Sequence, residues 1–229
     1  MLEVTLALDN ADLAWAKSMI ENHHYLKSWP HNQSRPHTYI VRHVDGSNPL
    51  DCSDAERVGV VVVSGLHITR CKGWWGYEGL PTQWQVLNLS RIWLAPSLQS
   101  GGRLCHSEHI PGFVDRKGIW RPAAATWVIR QVLDRVGRDR ISLWPPVYPD
   151  EPYHIRLVVS YSDPKHHRGE IYRNAKARPL YKDADGRPAP GPAGKVGWYW
   201  RLPEPSWTWQ EIEILRPRTM RLNLDFAHN

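Results

Sequence analysis

The sequence predicts one mixed α/β domain, and three observations carry that expectation. Short runs rich in β-branched residues alternate with segments whose apolar residues recur at helical spacing. One run, Val158–Tyr172 (VVSYSDPKHHRGEIY), passes from a buried strand through a basic turn into a helix start. That is where α/β sheets place ligands. The chain of 229 residues is long enough for a sizeable single core, with no internal repeat and no convincing boundary.

Taken in order, Glu3–Leu8 alternates as a strand. Asp9-Asn10 offers N-capping side chains to a helix whose apolar face is Leu13, Ala16, Met19 and Ile20. That helix ends near Asn22-His23-His24-Tyr25-Leu26, where the plain role of His23 and His24 is to complement the helix C-terminus. Thr38–Val44 and Val58–Ile68 are the next strands, with Val60–Val63 fully buried and Gly65 marking a bulge. Trp84–Leu94 is strand-like and carries Ser90-Arg91; an arginine so placed usually has a structural salt bridge.

Pro96–Trp120 lacks periodicity and reads as a long surface loop or insertion. Arg121-Pro122 opens the clearest helix, with Ala125, Ile129, Val132, Leu133 and Val136 as its apolar stripe and Gly137 past its end. Ala123-Ala124-Ala125 keeps the helix start slim enough for phosphates to approach free N–H groups. The same alanines equally suit plain packing on a sheet. After the proline-rich connector Ser142–Tyr153 come the central strand and turn, then a helix over Glu170–Ala177. Lys182–Gly194 is a flexible Pro/Gly-rich loop. Strands follow at Lys195–Leu202 and Trp207–Leu215, with a possible edge strand at Arg218–Phe226.

Composition narrows the function classes. Charged residues make up 23% and hydrophobic residues 41%, as in soluble globular proteins. No run approaches a membrane span, and the N-terminus carries acids where an export signal needs positive charge. Three cysteines without CxxC spacing fit a reduced, cytoplasmic setting and argue against a structural zinc site. A formal charge of +6 suits a polyanionic partner. Thirteen tryptophans against two phenylalanines suit core packing, with some free to stack on bases.

Three segments, Asn22–Leu26, Leu89–Leu94 and the SYSDP…HxGxIY block from Val159 to Tyr172, occur in an order that resembles the Mom family. These are phage DNA-modification proteins with a GNAT-like acyltransferase fold. The resemblance covers roughly residues 10 to 200 and implies a GNAT-like, central, mostly antiparallel twisted sheet flanked by helices. It implies a phage or prophage protein acting in the bacterial cytoplasm. The implied activity is conversion of adenine N6 in double-stranded DNA to a carbamoylmethyl-type adduct that blocks restriction. Implied catalytic residues are His24, Tyr25, Asp163 and Tyr172, and implied cofactors are acetyl-CoA and an iron(II) ion. Ser90, Arg91, Arg121, Ala123 and Ala124 are the candidates for holding the cofactor. The GNAT pyrophosphate signature, Arg/Gln-x-x-Gly-x-Gly/Ala, is absent before the central helix.

The residues carry plausible chemistry of their own. An exocyclic adenine amine is a poor nucleophile, so its site needs an acceptor or base, a role for Asp163. Asp163 is equally a turn-capping residue. Tyr25 and Tyr172 can donate to an oxyanion, protonate a thiolate or stack on a base, and His24 can relay a proton. His24, Asp163 and His167 (or His166) make a two-His, one-carboxylate set suited to iron(II). An amine inside a duplex requires base extrusion, with Trp29, Trp74 or Trp75 available to stack. Arg103, Arg116, Lys117, Lys165 and Arg168 are candidate phosphate contacts, or plain surface charges. The competing readings are a GNAT N-acyltransferase acting on a protein or small-molecule amine, and a DNA-binding protein without catalysis. A modified pyrimidine stays open, as does oligomeric state, a homodimer being one option.

Overall fold

The computed structural model of the protein describes residues 1–30, 36–44, 55–65, 85–99, 101–105, 110–143, 154–167 and 169–203. The predicted strands at Trp207–Leu215 and Arg218–Phe226 lie outside these residues, as do Trp74, Trp75 and Arg168. Four strands open the fold: β1 (Leu2–Leu6), β2 (His37–His43), β3 (Glu56–Gly65) and β4 (Val86–Leu94), with helix α1 (Asn10–His23) after β1. A small hairpin of β5 (Gly112–Val114) and β6 (Trp120–Pro122) precedes helix α2 (Ala124–Leu143). Then come β7 (Leu157–Ser162), the short α3 (Glu170–Asn174), β8 (Arg178–Pro179) and β9 (Val196–Arg201).

Seven strands form one sheet in the order β1-β2-β3-β4-β7-β9-β8. Every neighbouring pair is antiparallel except β4 and β7. This is the mixed α/β architecture expected, a mostly antiparallel central sheet flanked by helices in the anticipated order. Val60 and Val62 pack with Ala16 and Ile20 of α1, while Val61 and Val63 pack with Val128, Ile129 and Val132 of α2. The four valines are all apolar because a helix covers each face of the sheet. Among the described residues, no helix is long and apolar enough to cross a membrane.

α1 follows its N-cap, Asp9, whose carboxylate accepts the Asp12 N–H. Its inward face differs from the one predicted. Leu13 is exposed, and the residues buried are Asp12, Ala16 and Ile20. The Asp12 carboxylate accepts from Arg42 of β2 and, at 2.8 Å, from Arg57 of β3. Burial acts to raise its pKa, but the two arginine hydrogen bonds and charges outweigh it and hold the carboxyl below its ordinary range. A paired charge thus fixes α1 to two strands, a contact that an apolar pattern cannot reveal.

α2 begins at Ala124, later than Arg121-Pro122, because Trp120–Pro122 is used by the hairpin. It also runs through Gly137, predicted to lie past its end. The expected long loop over Pro96–Trp120 thus contains ordered structure: a 3₁₀ turn at Pro96–Leu98 and β5. Nor does a bulge fall at Gly65, which ends β3. Val62 pairs with Arg91 and Val63 with Leu89, so Ser90 is the extra residue, on β4. This insertion reverses the alternation of β4. Leu87 and Leu89 join the α2-side core, whereas Trp93 joins the α1-side core against Trp15.

Candidate active site

β4 and β7 pair only over Val86–Asn88 and Leu157–Val159. Past that point β4 bulges at Ser90, whose hydroxyl donates to the Val62 carbonyl at 3.0 Å. β7 continues with β9 on its other side through Ser162. The last link across the gap is the Ser160 hydroxyl, which donates to the Leu89 carbonyl at 2.9 Å. Beyond it lies a cleft between the two strands, in two chambers that share Tyr25, Ser90, Arg91 and Tyr161.

The inner chamber is about 160 Å³. His24 and Tyr25 reach it from the end of α1, Ser90, Arg91 and Ile92 from the bulged stretch of β4, and Tyr161, His167, Ile171 and Tyr172 from β7 through α3. The outer chamber, about 460 Å³, adds Leu26, Asn88, Leu89, Tyr181 and the Gly191–Lys195 turn. An aromatic chain runs through the site. The ring of Tyr25 lies 4.4 Å from that of His24 and stacks on His166 at 4.5 Å, and His167 lies 5.7 Å from Tyr172.

Local chemistry sets each side chain. The helix ends as the His24 N–H donates to the Ile20 carbonyl and the Leu26 N–H donates to His24 Nδ1 at 3.2 Å. Similarly, the Gly169 N–H donates to His167 Nδ1 at 3.3 Å. Gly169 is left-handed, with φ 72°, and a Cβ there would lie 2.6 Å from Trp198 Cζ2. Only glycine lets this turn close over the buried indole, whose Nε1–H donates to Ser162.

Burial, then the charges of Arg91, His167 and His166, pushes the His24 pKa down to about 4. His167 is lowered by burial and by His166, against an opposing pull from Asp163. Tyr25 is raised by burial and by the Asp163 charge, with Arg91 opposing. Burial pushes Tyr172 up to about 12, against a hydrogen bond with Ser160. At neutral pH the imidazoles of His24 and His167 and the phenols of Tyr25 and Tyr172 are therefore neutral, beside the Arg91 guanidinium.

Six of the residues singled out from sequence thus converge: His24, Tyr25, Ser90, Arg91, His167 and Tyr172. Asp163 stands apart, lining neither chamber. Its carboxylate accepts the Lys165 N–H at 2.9 Å, and its carbonyl accepts the N–H groups of His166 and His167. The turn-capping role is therefore present, although its charge still reaches Tyr25 and His167. Among the described residues Arg91 hydrogen-bonds no carboxylate; it donates to the Ser28 and Ser90 carbonyls.

The residues expected to hold phosphates at the start of α2 do not gather there as predicted. Arg121 pairs with Asp115 at 3.1 Å, the Ala123 N–H donates to the Pro111 carbonyl, and Ala124 is buried in the core. The iron set does not form either. Among the described residues no group of three His, Cys, Asp or Glu could hold a metal ion. Asp163 is not in the chamber, and both His24 and His167 use Nδ1 as acceptors. Of the predicted phosphate contacts, Arg103 pairs with Glu56, Arg116 and Lys117 lie in the exposed hairpin turn, and Lys165 is exposed beside Asp163.

Tyr181 and the Gly191–Lys195 turn escaped the sequence reading, which treated their segment as a flexible loop. It is instead closed by bridges between Lys182 and Pro188 and between Pro190 and Val196. Asp183 also accepts the Arg187 N–H at 2.8 Å. The signal available was Asp-x-x-Gly at Asp183–Gly186, a turn composition that predicts order.

No protein-family model matches the sequence, and a search of curated proteins finds no match. Among solved structures, the chain is similar to a provisionally described acyl-CoA N-acyltransferase of Klebsiella pneumoniae, at 11% identity and TM-score 0.40, covering 88% of this chain and 98% of that one. It is also similar to a domain from Methanocaldococcus jannaschii, at 10% identity and TM-score 0.43, covering 88% and 99%. A third is a provisionally described GNAT-family acetyltransferase of Desulfovibrio desulfuricans, at 12% identity and TM-score 0.41, covering 89% and 100%. Likenesses this loose say nothing of substrate or activity.

Proposed function

We propose that the protein is an N-acyltransferase-type enzyme that moves a short acyl group from a thioester of coenzyme A to an amine. The observation that carries this reading is the cleft opened between β4 and β7, with the Ser90 bulge on one wall. A bulge leaves backbone groups outside the ladder, available to a ligand lying between the strands. The outer chamber suits the thioester arm, and the inner chamber suits the acyl end. A bound thioester would supply an activated carbonyl and a thiolate leaving group. The chain supplies the rest. Backbone groups freed at the Ser90 bulge donate hydrogen bonds where negative charge develops on oxygen. Asp163, at the rim, takes the proton from the attacking amine, directly or through a water. Tyr25, which lines both chambers, returns a proton to the leaving sulfur.

The test is calorimetric binding of acetyl-CoA, followed by thiol release with a panel of amines. Asp163→Asn should retain binding and lose turnover by about 10²–10⁴-fold. Unaltered turnover would remove Asp163 from the reaction, and no binding of any CoA species would remove the reading.

A second reading names the acceptor as adenine N6 in double-stranded DNA. It is favoured by one observation: all residues lining the inner chamber come from the three segments that resemble the Mom family. Segments far apart in sequence would not be expected to meet at one cavity if the likeness were accidental. Nucleoside mass spectrometry of plasmid DNA from cells expressing wild type and Asp163→Ala tests it. A new adenine nucleoside present only with wild type supports the DNA reading, and its mass identifies the group added. Unmodified DNA beside active acyl transfer assigns the enzyme to another amine.

A further inference from the structure

The inner chamber is rich in hydrogen-bond donors, and no carboxylate lines it among the described residues. In both histidines Nδ1 accepts a backbone N–H, from Leu26 at 3.2 Å and from Gly169 at 3.3 Å. A neutral imidazole with Nδ1 accepting carries its proton on Nε2, so each ring offers a donor at its far nitrogen. His24 is only 7% exposed and lines the chamber wall. Tyr25 adds a hydroxyl, and Arg91 places a positive charge at the wall. Tyr161 and Tyr172 place two further phenols on the wall. At about 160 Å³ there is room for about five water-sized groups.

We infer that this chamber selects a short transferred group ending in a carboxylate over an aliphatic group of similar length. The inference rests on the acyltransferase reading and names the class of acyl group it uses. Donors in a closed site that meet a methyl group are left unmatched, and a site built to hydrogen-bond a substrate rejects the analogue that lacks the partner. The depressed basicity of His24 supports the assignment, since the ring stays neutral at working pH. With that proton placement, either ring could bind iron through Nε2 only by giving up its contact with the backbone N–H.

Isothermal titration of the full chain with coenzyme A, malonyl-CoA and butyryl-CoA is the test. Malonyl-CoA, an acid-ended group close in length to butyryl, should bind at least about tenfold more tightly than butyryl-CoA. His24→Asn keeps an acceptor for the Leu26 N–H but withdraws the far donor. It should bring the ratio toward one while leaving coenzyme A affinity within about twofold. His167→Asn reads the same effect from the other ring if the first variant misfolds. A wild-type ratio near one, or tighter butyryl-CoA, overturns the inference and leaves the acyltransferase reading standing. Failure to bind coenzyme A or either thioester removes both. Cobalt(II) absorption bands seen with wild type and abolished in His24→Asn would also overturn it, since they require the imidazole lone pair.

Discussion

His24 stays neutral well below the pH at which an exposed histidine charges, and that has a measurable cost in acid. Its folded pKa, about 4, lies below the unfolded value near 6.5. Above about pH 6.5 the ring is neutral in both states and contributes no pH dependence. As pH falls from 6.5 toward 4 the unfolded chain binds a proton that the folded chain refuses, so stability drops. The full difference is about 3 kcal/mol, at 1.36 kcal/mol per unit. Urea titrations of wild type and His24→Gln at pH 7, 5.5 and 4 should show the variant losing less stability across this window. Equal slopes would mean the ring is solvated. From sequence, His24 was visible as a site candidate, but nothing in Asn22–Leu26 distinguishes a helix-end charge from a buried neutral ring. Burial and Arg91, from a strand over sixty residues away, make the difference.

At the scale of elements, two glycines separate what backbone and packing each require. Gly169, left-handed and pressed on Trp198, should tolerate no side chain. Gly169→Ala should cost about 2–4 kcal/mol, combining the left-handed penalty with displacement of a buried ring. Gly137 lies inside α2 and has nothing within 4 Å of an added Cβ. Gly137→Ala should therefore stabilise the helix by about 0.5–1 kcal/mol, a rise in Tm of roughly 1–4 °C. Thermal unfolding of both checks the pair, and a destabilised Gly137→Ala would mean the helix does not continue there. Element identity was largely legible. β2, β3, β4, β7 and β9 fall where β-branched and aromatic runs stand, and α1 begins at its cap. Boundaries were lost where pairing overrode propensity. Trp120–Pro122 forms a strand because β5 lies opposite it, although Arg-Pro before three alanines suits a helix start.

For the whole molecule, the question is which surface charges remain for a polyanion. Arg103 pairs with Glu56 at 2.5 Å, both groups largely exposed, whereas Arg116 and Lys117 lie at the tip of the β5–β6 hairpin. Under the DNA reading, duplex affinity should fall steeply with salt. Arg116→Ala with Lys117→Ala should reduce the slope of log K against log salt by about 2, and Arg103→Ala by much less. Fluorescence anisotropy over a salt series measures both. Equal slopes for all three proteins would take the hairpin out of the DNA contact.

The sequence by itself determined the mixed α/β class, the order of the main helices and sheet strands, the buried valine run and the short segments that line the inner chamber. These are local matters: β-branched runs, a capped helix and a glycine turn are written within a few residues of where they act. Tertiary structure alone decided that Ser90 is a bulge, since an insertion exists only relative to a partner strand. It decided that Asp12 faces inward, because its charge is neutralised by arginines on two other strands. It also decided that the paired histidines hold their protons away from the backbone, and that Asp163 stands at the rim and not in the chamber. Each of those outcomes depends on which distant groups come into contact, and contact is a property of the folded chain.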